Sequence, residues 1–244
     1  MKNKLFAAAC AAMLATASFA AGAADALRVG THPTFAPFEF METASRQYVG
    51  FDMDLIREIG KRAGLEVEIV NMGFDGLIPA LMTGTIDIAV SGITITDERL
   101  ESVDFTNAYL DSNQAIVVKK DSKYAGASKL SDFTGATVLG QKDTFYDDLI
   151  DEIPQVNHLT PVATVPLVVD GIENGTCDAI TFSSMSLPKL LNSYPDLMKV
   201  ELEDGQGFSD PSNPDNAAIA KGQDAMLAKL NEIIGGAAAV QSSE

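Results

Sequence analysis

In the stretch SGITITDERLESVDFT, residues 91–106, Ser91, Gly92, Thr94 and Thr96 lie just ahead of Arg99, after the apolar run IDIAV. Such a run reads as a buried strand, so these hydroxyls fall where a strand ends and a helix begins. Two chemistries suit that place. Thr96 can cap the helix, with Asp97 and Glu98 on the positive end of its dipole. Alternatively, the Thr94 hydroxyl, the loop amides and the Arg99 guanidinium can converge on one carboxylate. Local pattern leaves both open. Elsewhere the signals for catalysis are thin. The two histidines, His32 and His158, have no partner at a zinc-ligand spacing, and neither a nucleophile elbow, a P-loop nor a dinucleotide fingerprint occurs. The sequence therefore predicts no catalytic residue, no metal and no cofactor.

The chain has 244 residues, 46% hydrophobic and 21% charged, which is ordinary globular composition. Its first 23 residues carry Lys2 and Lys4, then an alanine-rich apolar run, then small residues. That pattern predicts a cleavable signal peptide over 1–23 and a periplasmic product. Lipidation at Cys10 has weak support, with few apolar residues ahead of it. Cleavage removes the two lysines and no acid, moving the formal charge from −17 to −19. A field of that sign opposes nucleic acid and anionic membrane and favours a soluble monomer. Cys177 is then alone, excluding an intramolecular disulfide, and its setting in CDAITF reads as a buried small hydrophobe.

From Ala26 the periodicity alternates between strand and helix. LRVG, LEVEIVNM and IDIAV read as strands, and DLIREIGKRAG and FDGLIPALMTG as helices, with Gly64 as a C-cap. THPTFAPFEF reads as a loop or extended segment. After YLDSNQAIVVKK a second series follows: ATVLG, TPVATV and CDAITF as strands, FYDDLIDEI, PLVVDGIENG and SLPKLLNSY as helices. NAAIAK and QDAMLAKLNEIIG add a strand and a helix, and AAAVQSSE is expected to fray. This grammar predicts an α/β fold of two lobes with largely parallel sheets. Each half places a hydroxyl-bearing loop and a helix start after a strand, so a ligand cleft is expected between them.

The run GFDMDLIREIGKRA, with FAPFEF, FDGLIPALMTGTIDIAVSGITITDER and VDFT, resembles the family 3 bacterial extracellular solute-binding proteins, the polar amino-acid receptors of ABC importers. The resemblance spans most of the mature chain and is strongest over 29–106. It implies a type II periplasmic-binding-protein fold, two α/β lobes joined by a two-strand hinge. Lobe 1 would comprise 24–111 and 208–244, and lobe 2 would comprise 112–207. It implies capture of an amino acid or related small carboxylate by hinge closure, and delivery to an inner-membrane ABC permease. By the same resemblance Arg99 holds the ligand α-carboxylate, helped by Thr94, by the backbone at Ser91 and Gly92, and by Thr144 from lobe 2. Phe35 and Phe74 match the aromatics that sandwich the ligand side chain. His32 stands where relatives often carry an aspartate that reads it.

Two departures accompany this resemblance. Relatives place a lobe 2 aspartate five residues after the aspartate of a DA pair to hold the ligand ammonium, and here Ser183 occupies that place. Asp143 is the candidate substitute. The other departure is a C-terminus that lacks the usual aromatic. His32 argues against a cationic ligand, and Lys142, beside Gln141, reads as a solvated lysine. If it pointed inward, Lys142 would join His32 in favouring an acidic or amide side chain. The alternatives are a cyclohexadienyl or arogenate dehydratase on the same fold, which would need a general acid in the cleft, and a ligand-sensing protein.

Overall fold

The computed structural model describes residues 26–209 and 214–241. The leader and Cys10 lie outside the described residues. Two five-stranded mixed sheets form the framework. In the first, the strands Val67–Asn71, Leu27–Thr31 and Ile88–Thr94 run parallel, and Asp215–Ala220 lies antiparallel between Ile88–Thr94 and Val103–Phe105. Side chains alternate across this sheet, as the two-residue period of a strand requires. Ile88 and Val90 pack towards Met53, Ile56 and Leu230. Ala89 and Ile93 face the other way, onto Leu77 and Leu81.

The helix Phe51–Ala63 is the most legible element. Its buried Met53, Leu55, Ile56 and Ile59 fall on one face, and Gly64 closes it in a left-handed conformation at φ 69°. The helix Asp224–Gln241 packs beside it through Leu230, Ile233 and Ile234. It runs on through Gly235 and Gly236 to Gln241, so the expected fraying from residue 237 is corrected to continued helix, with 242–244 outside the described residues.

The second sheet is ordered Asn157–His158, Thr137–Leu139, Ala179–Ser183, Gln114–Lys119 and Leu197–Val200. Its central strand, Ala179–Ser183, is buried throughout, with Val168 and Ile172 against one face and Phe133 and Ile150 on the other. The expected strand TPVATV does not form. Val162 makes a single bridge with Gln141, and the pairing strand lies earlier, at Asn157–His158. Its β-branched residues scored as strand, but they reach the next helix, whose cap is Thr164. Phe208, expected in the first unit, packs in the second core beside Ile116 and Val118. Each sheet is mixed rather than largely parallel, because the chain enters the second sheet on Gln114–Lys119 and returns to the first on Asp215–Ala220, both antiparallel to their neighbours.

A third, small sheet joins Thr34–Phe35, Glu39–Met41 and Tyr48–Val49. It folds the FAPFEF segment, read as a loop or extended stretch, back over the carboxyl ends of the first sheet. Phe35 thereby reaches the second unit, 5.9 Å edge-on from Phe182.

Candidate functional site

The cavity lies between the two sheets at the carboxyl ends of their strands, where open α/β sheets present loops and helix starts. From the first unit come His32, Phe35, Glu39, Phe74, the strand end Ser91, Gly92 and Thr94, and Arg99, and from the second Gln141, Thr144, Thr181 and Phe182. Its position follows from the strands. Leu27–Thr31 ends at His32, Ile88–Thr94 at Thr94, and Thr137–Leu139 opens towards Gln141.

Arg99 sits on the helix Asp97–Ser102, whose N-cap is Thr96 accepting from the Arg99 backbone N–H. The capping reading therefore holds. The Arg99 side chain turns towards the other unit. Nη1 donates to the Thr94 carbonyl at 2.7 Å and Nη2 to the Asp143 carbonyl at 2.6 Å. Its guanidinium lies 5.6 Å from the Phe74 ring centroid. Burial draws its pKa down, opposed by the nearby charges of Asp148, Asp143 and Glu98. Carbonyls hold a guanidinium in place without cancelling its charge, so an anion entering the cavity meets a positioned cation.

Thr144 faces it from the second unit and caps the helix Phe145–Asp148. Its Oγ1 donates to the Gln141 carbonyl at 2.7 Å, which fixes the turn. Between Lys142 and Thr144, Asp143 takes a left-handed conformation at φ 59° that aims its carbonyl at Arg99. Two further contacts span the gap. Lys142 Nζ lies 2.9 Å from Asp75 Oδ2, and Gln141 Nε2 lies 3.4 Å from His32 Nδ1. Burial lowers the His32 pKa, against the pull of Asp75, so its imidazole is neutral at pH 7.

Of the sequence-predicted residues, the structure brings His32, Phe35, Phe74, Ser91, Gly92, Thr94, Arg99 and Thr144 to one cavity. It does not bring the other two there. Ser183 is buried with its Oγ 2.6 Å from Ser112 Oγ, at the crossing between the units. Asp143 offers its carbonyl, while its exposed carboxylate pairs with Lys142 at 3.4 Å. Neither supplies an ammonium acceptor to the cavity wall, because the sequence offset fixes a position on the strand but not the hydrogen bonds that turn its side chain. Lys142, likewise, is spent on Asp75. The Gly92 amide is also taken, donating to Asp52 Oδ2 at 3.0 Å, so Gly92 lines the cavity without offering that N–H.

Sequence reading missed Glu39, which lines the cavity at 1% exposure and accepts from Ser91 Oγ at 2.7 Å. The available signal was a lone acid between Phe38 and Phe40, in a stretch otherwise apolar. Behind Glu39 lie Asp52 and Asp215, both buried. The Glu39 and Asp52 carboxyls are within hydrogen-bonding reach of each other, which needs a shared proton. Asp52 also accepts from Tyr109 Oη at 3.1 Å. Burial raises all three: Glu39 well above the carboxylate range, with Asp52 adding to it, Asp52 to about 6, and Asp215 to about 8. Among the described residues, no group of three or more His, Cys, Asp or Glu is placed to hold a metal ion.

The sequence profile of the bacterial extracellular solute-binding proteins, family 3, matches residues 27–241. The chain belongs to that family. This family 3 protein is 34% identical over 185 residues to a probable histidine-binding protein of Campylobacter jejuni, covering 75% of this chain and 70% of the relative. It is 29% identical to the ABC transporter arginine-binding protein 1 of Escherichia coli, covering 92% and 90%. Among solved structures, the substrate-binding protein of an amino acid ABC transporter superposes with a TM-score of 0.79 at 34% identity, covering 86% of this chain and 92% of that one. Holo ArgBP from T. maritima superposes at 0.77 with 33% identity, covering 86% and 89%. The family 3 fold is thus two α/β lobes, and the cavity described above lies between them. Among its described residues no helix is long and apolar enough to cross a membrane.

Proposed function

We propose that this chain is a periplasmic receptor that captures one amino acid, or a close carboxylate relative, and hands it to an ABC permease. The observation carrying this reading is Arg99. It is anchored by two carbonyls, one from each lobe, at the wall of a cavity that both lobes line. The ligand carboxylate would sit against its guanidinium, with Thr94 and Thr144 on either side. Phe35 and Phe74 would cover the ligand side chain, and neutral His32 would border it. The lobes, 24–111 with the returning strand and helix, and 112–208, would close as a hinge about the two crossings. The Arg99–Asp143 and Lys142–Asp75 contacts form only when the lobes are together, so they bias the closed state that the ligand also favours. The leader over 1–23 would send the protein to the periplasm, where it would act as a monomer without catalysis.

Relatives named for histidine and arginine point to a basic amino acid, against the sequence expectation drawn from His32. A thermal-shift panel of the common amino acids, with prephenate and arogenate assayed for product, tests this function. Saturating ligand raises stability by mass action, about 2.7 kcal/mol at one hundred times Kd. A basic amino acid should give the largest rise, with no product from the two cyclohexadienyl acids. No rise with any amino acid, or turnover of either acid, would overturn the receptor reading.

A further inference from the structure

We propose that His158, behind the cavity wall, is a positioning residue for capture: as an imidazolium bridging Asp147 and Asp151, it seats the lobe 2 wall, and affinity falls when that ring loses its proton. This rests on the receptor reading and goes beyond it. Geometry carries it. His158 Nε2 lies 2.9 Å from Asp147 Oδ1, and Nδ1 lies 2.8 Å from Asp151 Oδ1. Carboxylates only accept, and a neutral imidazole has a single N–H. Both contacts are therefore hydrogen bonds only when the ring is charged. The backbone under the ring is fixed, because Asn157–His158 pairs with Thr137–Leu139 in the second sheet.

What the ring holds is the wall itself. Asp147 belongs to Phe145–Asp148, a helix of four residues, too short to keep its place by its own hydrogen bonds. That helix and the turn before it bring Thr144, Phe145 and Tyr146 to the cavity and aim the Asp143 carbonyl at Arg99. Buried Asp147 is where the helix rests on the strand end: a Cβ at Gly140 would lie 2.9 Å from the Asp147 Cα and would strike its carboxylate. Gln114 Nε2 adds a bond to the Tyr146 carbonyl at 3.2 Å, but an amide does not titrate. Burial pulls the His158 pKa down, yet the two carboxylates outweigh it and hold it above the ordinary imidazole value. Burial raises Asp147, opposed by His158, while Asp151 and Asp143 add to the rise. Of the other charged groups on the packed elements, Asp148 faces Arg99 and Glu152 accepts from Ser209, and Thr137–Leu139 carries none. Below the folded pKa of the ring the bridge is whole. As pH rises through that value, one carboxylate loses its donor and the wall loosens. An amino acid that prefers the seated wall must, reciprocally, raise the His158 pKa.

The chain has two histidines, so His158→Gln assigns the ring resonances. Nitrogen-15 NMR of the unaltered protein should show both His158 ring nitrogens protonated at pH ~6, with titration above the ordinary value near ~6.5, and higher still with L-arginine bound. Glutamine copies the neutral ring, offering a donor without a charge. In calorimetry His158→Gln should bind L-arginine about three- to tenfold more weakly at pH ~6, and the gap should close across the pKa that NMR reads. Other titrating groups are common to both proteins, so the difference isolates the ring. Asp151→Asn, at an exposed position, should move the fall in affinity to lower pH without touching the cavity. A His158 ring that titrates at the ordinary value, or pH profiles that coincide for the parent and both variants, would overturn the proposal. Arg99→Ala distinguishes the two levels. If it loses L-arginine while His158→Gln matches the parent at every pH, the receptor reading stands and the His158 role falls.

Discussion

An Arg99→Ala variant should bind its amino acid about two to three orders of magnitude more weakly than the parent chain. Removing one partner of a buried, hydrogen-bonded charge pair costs about 2–5 kcal/mol, and each ~1.4 kcal/mol is a factor of ten in affinity. Two losses combine here. The carboxylate loses its cation, and the interlobe bond from Nη2 to the Asp143 carbonyl disappears. What remains around an incoming anion is Asp148, Asp143 and Glu98, which now repel it. Arg99→Lys separates these effects. A lysine keeps the charge but cannot reproduce the planar fork that reaches Thr94, Asp143 and a carboxylate together, so its loss should be intermediate. Calorimetric titration reads both, and affinity unchanged in Arg99→Ala would remove Arg99 from the site.

Asp215→Asn is expected to stabilise the protein, and far more at pH 8.5 than at pH 5. Burial raises the Asp215 carboxyl to about 8, and the charge on Asp52 adds to it. An unfolded aspartate loses its proton near pH ~4. Between those values the folded chain holds a proton that the unfolded chain has released, so stability falls as pH rises. The cost is absent below the unfolded value and complete above about 8. At ~1.4 kcal/mol per pKa unit it amounts to a few kcal/mol, less whatever the coupled Asp52 takes up by adjusting its own protonation. Asparagine never bears the charge and escapes this cost. Thermal unfolding should show a gain of roughly 5–10 °C at pH 8.5, at about 2–4 °C per kcal/mol for a chain of this size, shrinking towards pH 5. A gain equal at both pH values would mean that Asp215 is not held protonated by its surroundings.

These carboxyls mark where sequence reading stopped. Helix Phe51–Ala63 was legible because its apolar residues recur at helical spacing and Gly64 ends it. Thr96 was legible because a cap is a local event, decided within a turn. Arg99 was placed through family likeness, and its two carbonyl anchors depend on Asp143, far away in sequence. Glu39, Asp52 and Asp215 come from a hairpin, a helix and a returning strand, and nothing in any one segment announces the other two. Ser183 shows the reverse difficulty. Its offset puts it at the end of the strand Ala179–Ser183, yet Ser112 at the interlobe crossing takes its hydroxyl. The strand at Asn157–His158 is too short and polar to show a period, whereas TPVATV has the composition of a strand but pairs at one position only, Val162 with Gln141.

On the proposed function, the ligand carboxylate is gripped between the lobes at Arg99. The most direct measurement titrates the purified protein with L-arginine and with agmatine, the same molecule without its carboxylate, and with histidine and histamine as a second pair. The amino acid of at least one pair should bind, and its decarboxylated partner should lose at least a hundredfold in affinity. An amine that binds as tightly as its parent amino acid would contradict it.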